Sequence, residues 1–482
     1  MNRTTGWILA AAAGLLCVAG PSAVTADVRL PNVIASNMVL QRGMPVPIWG
    51  WADANEQVTV TFGSQSKTAT AGADGAWRVT LDKLTAGAAP ARMVLKGKNT
   101  VTLENILVGE VWVGSGQSNM AWSVRASHNA KEEIAAAKYP KIRLFLVPPK
   151  QAPTPQTDLN ARWVECSPKS VPSFSAALYY FGRTLHKELD VPMGLIATSW
   201  GGTPIEPWIP LAGLESVSSL SSLASKARAQ TGTGGRGGHR RPTVLYNAMV
   251  DPLVPFAIRG AVWYQGESNA FSNDGMKYFE KKKGLIGGWR KMWAQTAGAP
   301  DGSGNFSFYF VQLAPWSRYK PTHLPALWEA QRACLTIPNT GMVVTTDITG
   351  NLNDIHPRDK QNVGKRLALW ALAKDYGKKD LVYSGPLYKS MAVEGSTIRL
   401  SFDHVGSGLV SRDGKPLSWF TIARSNKKFV EATAKIDGNT VVVSIPEISK
   451  PKAVRFAWDR RALPNLSNKE GLPASPFRTD TW

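Results

Sequence analysis

The spacing of apolar and polar positions changes character twice along the chain. From residue 27 to about 105 the period is two. Val58, Val60 and Phe62 alternate with threonines between the turn-formers Asn55 and Gly63. The turn Ala73-Asp74-Gly75 then leads into Trp77-Arg78-Val79-Thr80-Leu81, a second alternating strand. No helical period competes, so a small β-sandwich or jelly-roll-like domain is predicted. From about 106 to 380, short apolar runs alternate with helical segments. Strands are predicted at 141–147, 191–199, 260–264, 306–313 and 341–346. A helix is predicted over 173–189, where Phe174, Leu178, Phe181, Leu185 and Leu189 share one face. A second runs through Val363, Leu367 and Trp370. His186, inside the first helix, reads as structural. This order predicts an α/β domain with a mainly parallel, helix-covered sheet. Residues 216–242 are rich in Ser, Gly and Arg and read as a flexible surface insertion, with 231–238 nearly structureless in composition. From 381 to 482 the alternation returns, with strands at 397–402, 429–436, 440–445 and 453–458 and a turn at Asp437-Gly438-Asn439. This is a second β-domain or the completion of the first.

The N-terminus adds an address. Arg3, the apolar run 7–18 and Val24-Thr25-Ala26 read as a signal peptide over 1–26, cleaved near Ala26. Leu16 precedes Cys17, which argues against a lipoprotein signal. The apolar run is too short to span a bilayer and no later one is longer. An exported protein, periplasmic or secreted, is expected. Cys166 and Cys334 then remain, either as one disulfide or as two buried thiols. Two cysteines and six scattered histidines make a cysteine-based metal site unexpected. The net charge of +21 is dispersed, with only the short clusters Lys281-Lys282-Lys283 and His239-Arg240-Arg241. With no zinc-finger spacing and no RNA-binding aromatic motif, no nucleic-acid partner is expected. Among the eighteen tryptophans, Trp122, Trp208 and Trp316 stand in polar surroundings, which suits stacking on sugars.

Candidate chemistry centres on residues 111–120, Val-Trp-Val-Gly-Ser-Gly-Gln-Ser-Asn-Met. A strand ending in Gly114 and Gly116 and followed by Ser118 has the form of a turn that presents a nucleophilic hydroxyl. Met120 stands where the usual last glycine would be, and Asn119 replaces the third glycine of a dinucleotide fingerprint. Further polar segments follow predicted strands: Gly201-Gly202-Thr203, Gln265-Gly266-Glu267-Ser268-Asn269 and Asp354-Ile355-His356. Ligands of open α/β sheets bind at such strand ends. A serine needs a base, and His356 in its loop before Pro357 is the best candidate. Asp354 is placed to fix the imidazole, in the order Ser…Asp…His; its plain alternative is to cap the next helix. The Ser118 N–H, the Gly201 or Gly202 N–H and the side-chain amide of Gln265 or Asn269 are candidate oxyanion donors. Gln117 joins them as a substrate-binding candidate. Glu267 is a second carboxylate at this edge, either the acid itself or a partner of Asp354 in orienting His356.

These segments, together with Trp200-Gly201-Gly202-Thr203-Pro204-Ile205-Glu206-Pro207-Trp208, resemble the motif series of the sialate O-acetylesterase family of SGNH hydrolases. Residues 38–44 and 465–477 resemble it too, so the likeness spans nearly all of the mature chain. The resemblance implies a flavodoxin-like catalytic domain with accessory all-β regions at both ends. It implies Ser118 as nucleophile, His356 as base, an oxyanion hole built from the glycine and Gln-Gly-Glu segments, and no metal or organic cofactor. Many SGNH enzymes carry the acid three residues before the histidine, where this chain has Asn353; Asp354 is two before. Related acetylxylan esterases use the glutamate of Gln-Gly-Glu, so Asp354 and Glu267 both stay open. The expected function is hydrolysis of O-acetyl esters on a carbohydrate partner, sialate by family name, or acetylxylan and other hemicellulose by the same chemistry. Arg125, Arg183 and the basic insertion are candidates to meet a sialate carboxylate. The competing class is a non-catalytic carbohydrate-binding protein, which leaves Ser118, His356 and Gln-Gly-Glu without a shared purpose. Oligomeric state is left open.

Overall fold

The computed structural model describes residues 27–482 apart from 233, 236 and 298–303; the expected signal peptide lies outside the described residues. A twisted sheet organises the chain. Its strands are β1 (Thr100–Gly116), β2 (Tyr139–Leu146), β3 (Trp163–Cys166), β4 (Met193–Ser199), β5 (Gly260–Tyr264), β6 (Ser307–Val311) and β7 (Thr340–Val343), in the order β7-β6-β5-β1-β4-β2-β3. All neighbours run parallel except β3, which is antiparallel to β2. Setting β2 and β3 aside as an edge extension, β4-β1-β5-β6-β7 is the flavodoxin-like order. The chain leaves β1 to one side and later returns to the other, which opens a crevice at the carboxyl ends of β1, β4 and β5.

The helices are α1 (Ser118–Ala121), α2 (Ala176–Leu189), α3 (Glu267–Phe271), α4 (Lys277–Ala297), α5 (His323–Ala333) and α6 (Lys360–Lys374), besides shorter turns. Alternation along β6 shows how the sheet is covered. Tyr309 packs beside Trp370 of α6, with ring centroids 6.1 Å apart, whereas Phe308 packs on Trp289 of α4 at 6.0 Å. Both sheet faces are thus dry, and the strands read as unbroken apolar runs. The helix predicted over 173–189 starts at Ala176 because Ser175 caps it, accepting a hydrogen bond from the Leu178 N–H at 3.3 Å.

The sequence pattern did not reveal α4, whose apolar spacing is interrupted by Lys281-Lys282-Lys283. Those lysines do not form a solvent cluster. Lys282 is fully buried with its Nζ 3.4 Å from the centroid of the Phe310 ring, and Lys281 pairs with Glu206 and Asp274 at 2.6 Å each.

The first half of β1 belongs to the N-terminal β-region, pairing with Gly87–Lys96 and, in parallel, with Val39–Gln41. The expected boundary at 105–106 therefore falls inside one continuous strand, and a single hydrophobic core runs through both regions. The C-terminal strands enclose a separate core around Ile398, Leu400, Phe456 and Phe477. It docks on the α/β region through Arg478–Glu329 at 3.0 Å and Ser475–Gln312 at 3.1 Å. The strand predicted over 429–436 is split: Phe429–Glu431 and Thr433–Asp437 join different sheets.

The segment 216–242 is more ordered than its composition suggests, because Ser221–Arg228 is helical and buries Ala224 and Ala227. Cys166 and Cys334 are separate buried thiols, each pushed up to about 12 by burial. No helix among the described residues is long and apolar enough to cross a membrane.

Candidate active site

The end of β1 is built for one residue type. Gly116 has φ +140, and a Cβ there would lie 2.1 Å from the Tyr264 carbonyl oxygen of β5. Only glycine lets the two strands stay paired to this point. The Gln117 N–H then donates to Tyr264 O at 3.0 Å, and α1 begins at Ser118. As the first residue of that helix, Ser118 has a backbone N–H with no intrahelical acceptor.

His356 lies in the loop between β7 and α6. Its Nε2 is 2.9 Å from Ser118 Oγ, across 238 residues of sequence. Trp122 stacks on the imidazole with centroids 4.5 Å apart and planes 17° from parallel. Asp354 is the carboxylate beside the ring, its Oδ1 3.7 Å from Nδ1. That is ion-pair range rather than a hydrogen bond, since Oδ1 accepts the His356 backbone N–H at 2.9 Å. Arg358 Nε lies 3.8 Å from Asp354 Oδ2. Burial holds the His356 pKa below its ordinary value; Lys360 adds to this and Asp354 opposes it. The imidazole is therefore neutral at neutral pH, the form able to take a proton.

Gly201 and Gly202 follow β4. The Trp200 N–H donates to Gly116 O at 3.1 Å, and a Cβ on Gly201 would sit 3.4 Å from Ser118 Cβ. The exposed backbone of Gly201 lies against the serine. The basic segment folds onto this turn: Arg240 donates to Gly202 O at 2.7 Å, and His239 stacks on Trp200 at 4.8 Å.

Gln265 and Asn269, expected as side-chain oxyanion donors, are committed elsewhere. Gln265 Nε2 donates to Asn269 Oδ1 at 2.6 Å, and to Thr203 O and Gln117 Oε1 at 3.2 Å each. Asn269 Nδ2 donates to Asp274 at 2.7 Å and Glu206 at 3.3 Å. Gln117, 3% exposed, accepts from the Gly266 and Ser268 N–H groups at 3.4 and 3.3 Å. These amides brace the turn after β5 from within.

Glu267 likewise does not reach the imidazole. It is 3% exposed, its Oε1 accepts from Asn119 Nδ2, and burial pushes its carboxyl above the usual range. The reason is position: Glu267 opens α3 pointing beneath α1, whereas His356 reaches Ser118 from the β7–α6 loop. Arg183 pairs with Glu133 and packs 4.8 Å over the Tyr180 ring, so it is not free to meet a ligand.

Two residues at the site went unassigned in the sequence. Asn119 carries one candidate signal, its place next to Ser118; Lys360 carries another, its place four residues after His356 at the start of α6. Lys360 is fully buried, and burial lowers its pKa to about 7. Among the described residues no group of three or more His, Cys, Asp or Glu is arranged to hold a metal. A cavity of 880 Å³ lies at the opposite sheet edge, lined by Ser307, Thr340, Lys374 and Asp375 among others and by none of the candidate catalytic residues.

Comparison with known proteins gives a consistent pattern. The family described as carbohydrate esterase, sialic acid-specific acetylesterase, matches residues 108–373. The chain is 30% identical over 498 residues to the sialate O-acetylesterase of Homo sapiens, covering 93% of this chain and 92% of that protein. It is 29% identical over 510 residues to that of Rattus norvegicus, covering 93% and 94%. The fold is similar to the crystal structure of a carbohydrate acetylesterase from Xanthomonas citri, with TM-score 0.86 and 36% identity over 95% of this chain and 100% of that one.

Proposed function

Because this chain belongs to the sialic acid-specific acetylesterase family of carbohydrate esterases, we propose that it is an exported serine esterase removing O-acetyl groups from sugars. Ser118 Oγ attacks the acetyl carbonyl while His356 Nε2 takes its proton. The oxyanion of the tetrahedral intermediate accepts from the Ser118 N–H and from the Gly201 or Gly202 N–H. Collapse expels the sugar oxygen, which takes the proton back from His356 and leaves an acetyl group on Ser118. Water, deprotonated by His356, then attacks that acetyl group, and acetate and free Ser118 are released. Asp354 stabilises the imidazolium electrostatically. The 2.9 Å contact between Ser118 and His356 at the sheet's carboxyl edge carries this reading.

The test is acetate release from O-acetylated sialic acid and from acetylated xylan oligosaccharides. Ser118→Ala should lower kcat by about 10⁴-fold or more with the fold retained. A serine-directed phosphonate should label Ser118 of the unsubstituted protein. Full activity in Ser118→Ala overturns the serine mechanism, while release from xylan alone keeps the mechanism and changes the substrate. Binding of either glycan with neither acetate release nor phosphonate labelling would instead make this a carbohydrate-binding protein. N-terminal sequencing of protein recovered from the periplasm and the medium tests export; a start near Asp27 is expected.

A further inference from the structure

We propose that Asn119 and Lys360 are positioning residues for ester hydrolysis, holding the backbone on both sides of His356 against the helix that begins at Ser118. The inference rests on the serine mechanism above. Asn119 Nδ2 donates to Ile355 O at 3.1 Å, and Lys360 Nζ donates to Pro357 O at 2.6 Å. Those two carbonyls flank His356. Lys360 Nζ also donates to Asn119 Oδ1 at 2.6 Å, which closes the brace. Asn119 is the residue after Ser118, so nucleophile and base are tied through one buried amide. Glu267 anchors that amide from beneath. Asn119 is 1% exposed and Lys360 0%, so both act through Ser118 and His356 and not on the substrate.

The physical need for such a brace is plain. Ser118 and His356 come from segments 238 residues apart, and their hydroxyl–imidazole contact must hold within a fraction of an ångström; a displacement of about 1 Å can cost roughly 10²-fold in rate. A lysine buried only to fill space would be better replaced by an apolar side chain. This one has the Pro357 carbonyl and the Asn119 amide to satisfy, and the Tyr264 ring 5.1 Å away. Its charge also acts on His356. The groups facing the imidazole are the Ser118 hydroxyl, the Trp122 ring, Asp354 with Arg358 behind it, and Lys360 from α6. The carboxylates acting on Lys360 are Glu267, Asp354 and Asp359. A nearby ammonium repels a second proton and favours the neutral form of the base.

The experiment compares pH profiles of kcat and KM for the full chain, Lys360→Met and Asn119→Ala, using 4-nitrophenyl acetate and an acetylated sugar. Both variants should lose kcat by about 10²-fold with KM within about threefold. In Lys360→Met the acid limb should also move to higher pH, because Asp354 still raises the His356 pKa while Lys360 no longer lowers it. Wild-type kcat in folded Lys360→Met, or a lower kcat with the acid limb in place, overturns the inference. Should Lys360→Met fail to fold, Asn119→Ala decides, and kcat within about twofold of wild type overturns it. Phosphonate labelling of the unsubstituted protein separates the two levels: no label at Ser118 removes the serine mechanism, and the inference with it. A label at Ser118 with unaffected variants removes only the inference.

Discussion

At the residue scale the site is governed by a few atoms with no slack. Gly116 is one. Gly116→Ala drives a Cβ into the Tyr264 carbonyl at 2.1 Å and forces an L residue to φ +140. We expect a loss of about 2 kcal/mol or more in urea unfolding, with a larger proportional loss of activity because Ser118 is displaced. His356 is another. Neutral imidazole is the working form and its pKa is lowered, so activity should persist to a pH below about 6.5, the ordinary histidine value. It should fall only as the pH drops through the lowered pKa. Asp354→Asn removes the charge that raises that pKa, so the acid limb should move further down, opposite in direction to Lys360→Met. Because Asp354 is 3.7 Å from Nδ1 and partly exposed, the accompanying loss in kcat should be about 10- to 100-fold, well short of a hydrogen-bonded triad acid. Glu267→Gln leaves the charge beside Nδ1 untouched, and its pH profile should therefore differ from that of Asp354→Asn.

At the element scale, helices set where the site can be. α2 is fixed by Ser175, whose hydroxyl donates to Met120 O at 2.6 Å and accepts from the Leu178 N–H at 3.3 Å. One side chain thus joins a helix cap to the short helix carrying Ser118. Ser175→Ala should cost about 1–2 kcal/mol in thermal or urea unfolding. On the other face, α4 carries Lys282, fully buried, with burial lowering its pKa to about 7. The folded state resists its charge while the unfolded chain keeps its value near 10.5. Unfolded protein binds more protons between those values, so stability should rise with pH from about 7 to about 10.5. Lys282→Met should reduce that rise, to which the similarly buried Lys360 also contributes, and raise stability near pH 7 by about 2 kcal/mol or more. Urea titrations at pH 7, 8 and 9 measure both effects.

At the scale of the whole molecule, the β and α/β regions are held by a shared strand, packing and polar contacts, with no disulfide among the described residues. Cys166 and Cys334 are buried and unbonded, so reducing agent should leave the melting temperature unchanged. A chain beginning at Asp27 should show two thiols that react readily only after unfolding, because burial keeps both protonated. The sequence alone determined the fold class, since the period of its apolar positions dictates which face each element must bury. It also determined the motif residues: Ser118 after a glycine turn and His356 after the last strand are local signals with a chemical meaning. Boundaries were less legible. β1 crosses the expected junction at 105–106 because its outer half alternates and its inner half is buried on both faces. Only the tertiary structure decided the partners. Gln265 and Asn269 carry the right donors for an oxyanion, but Gln265 spends its amide on Asn269 Oδ1 and the β4 turn, and Asn269 spends its own on Asp274 and Glu206. Glu267 is a carboxylate near the histidine in motif order, yet beneath Asn119 in space. Asn119 and Lys360 look like ordinary surface polar residues and are buried. A sequence lists donors, acceptors and charges; which of them face one another depends on how strands distant in the chain are set side by side.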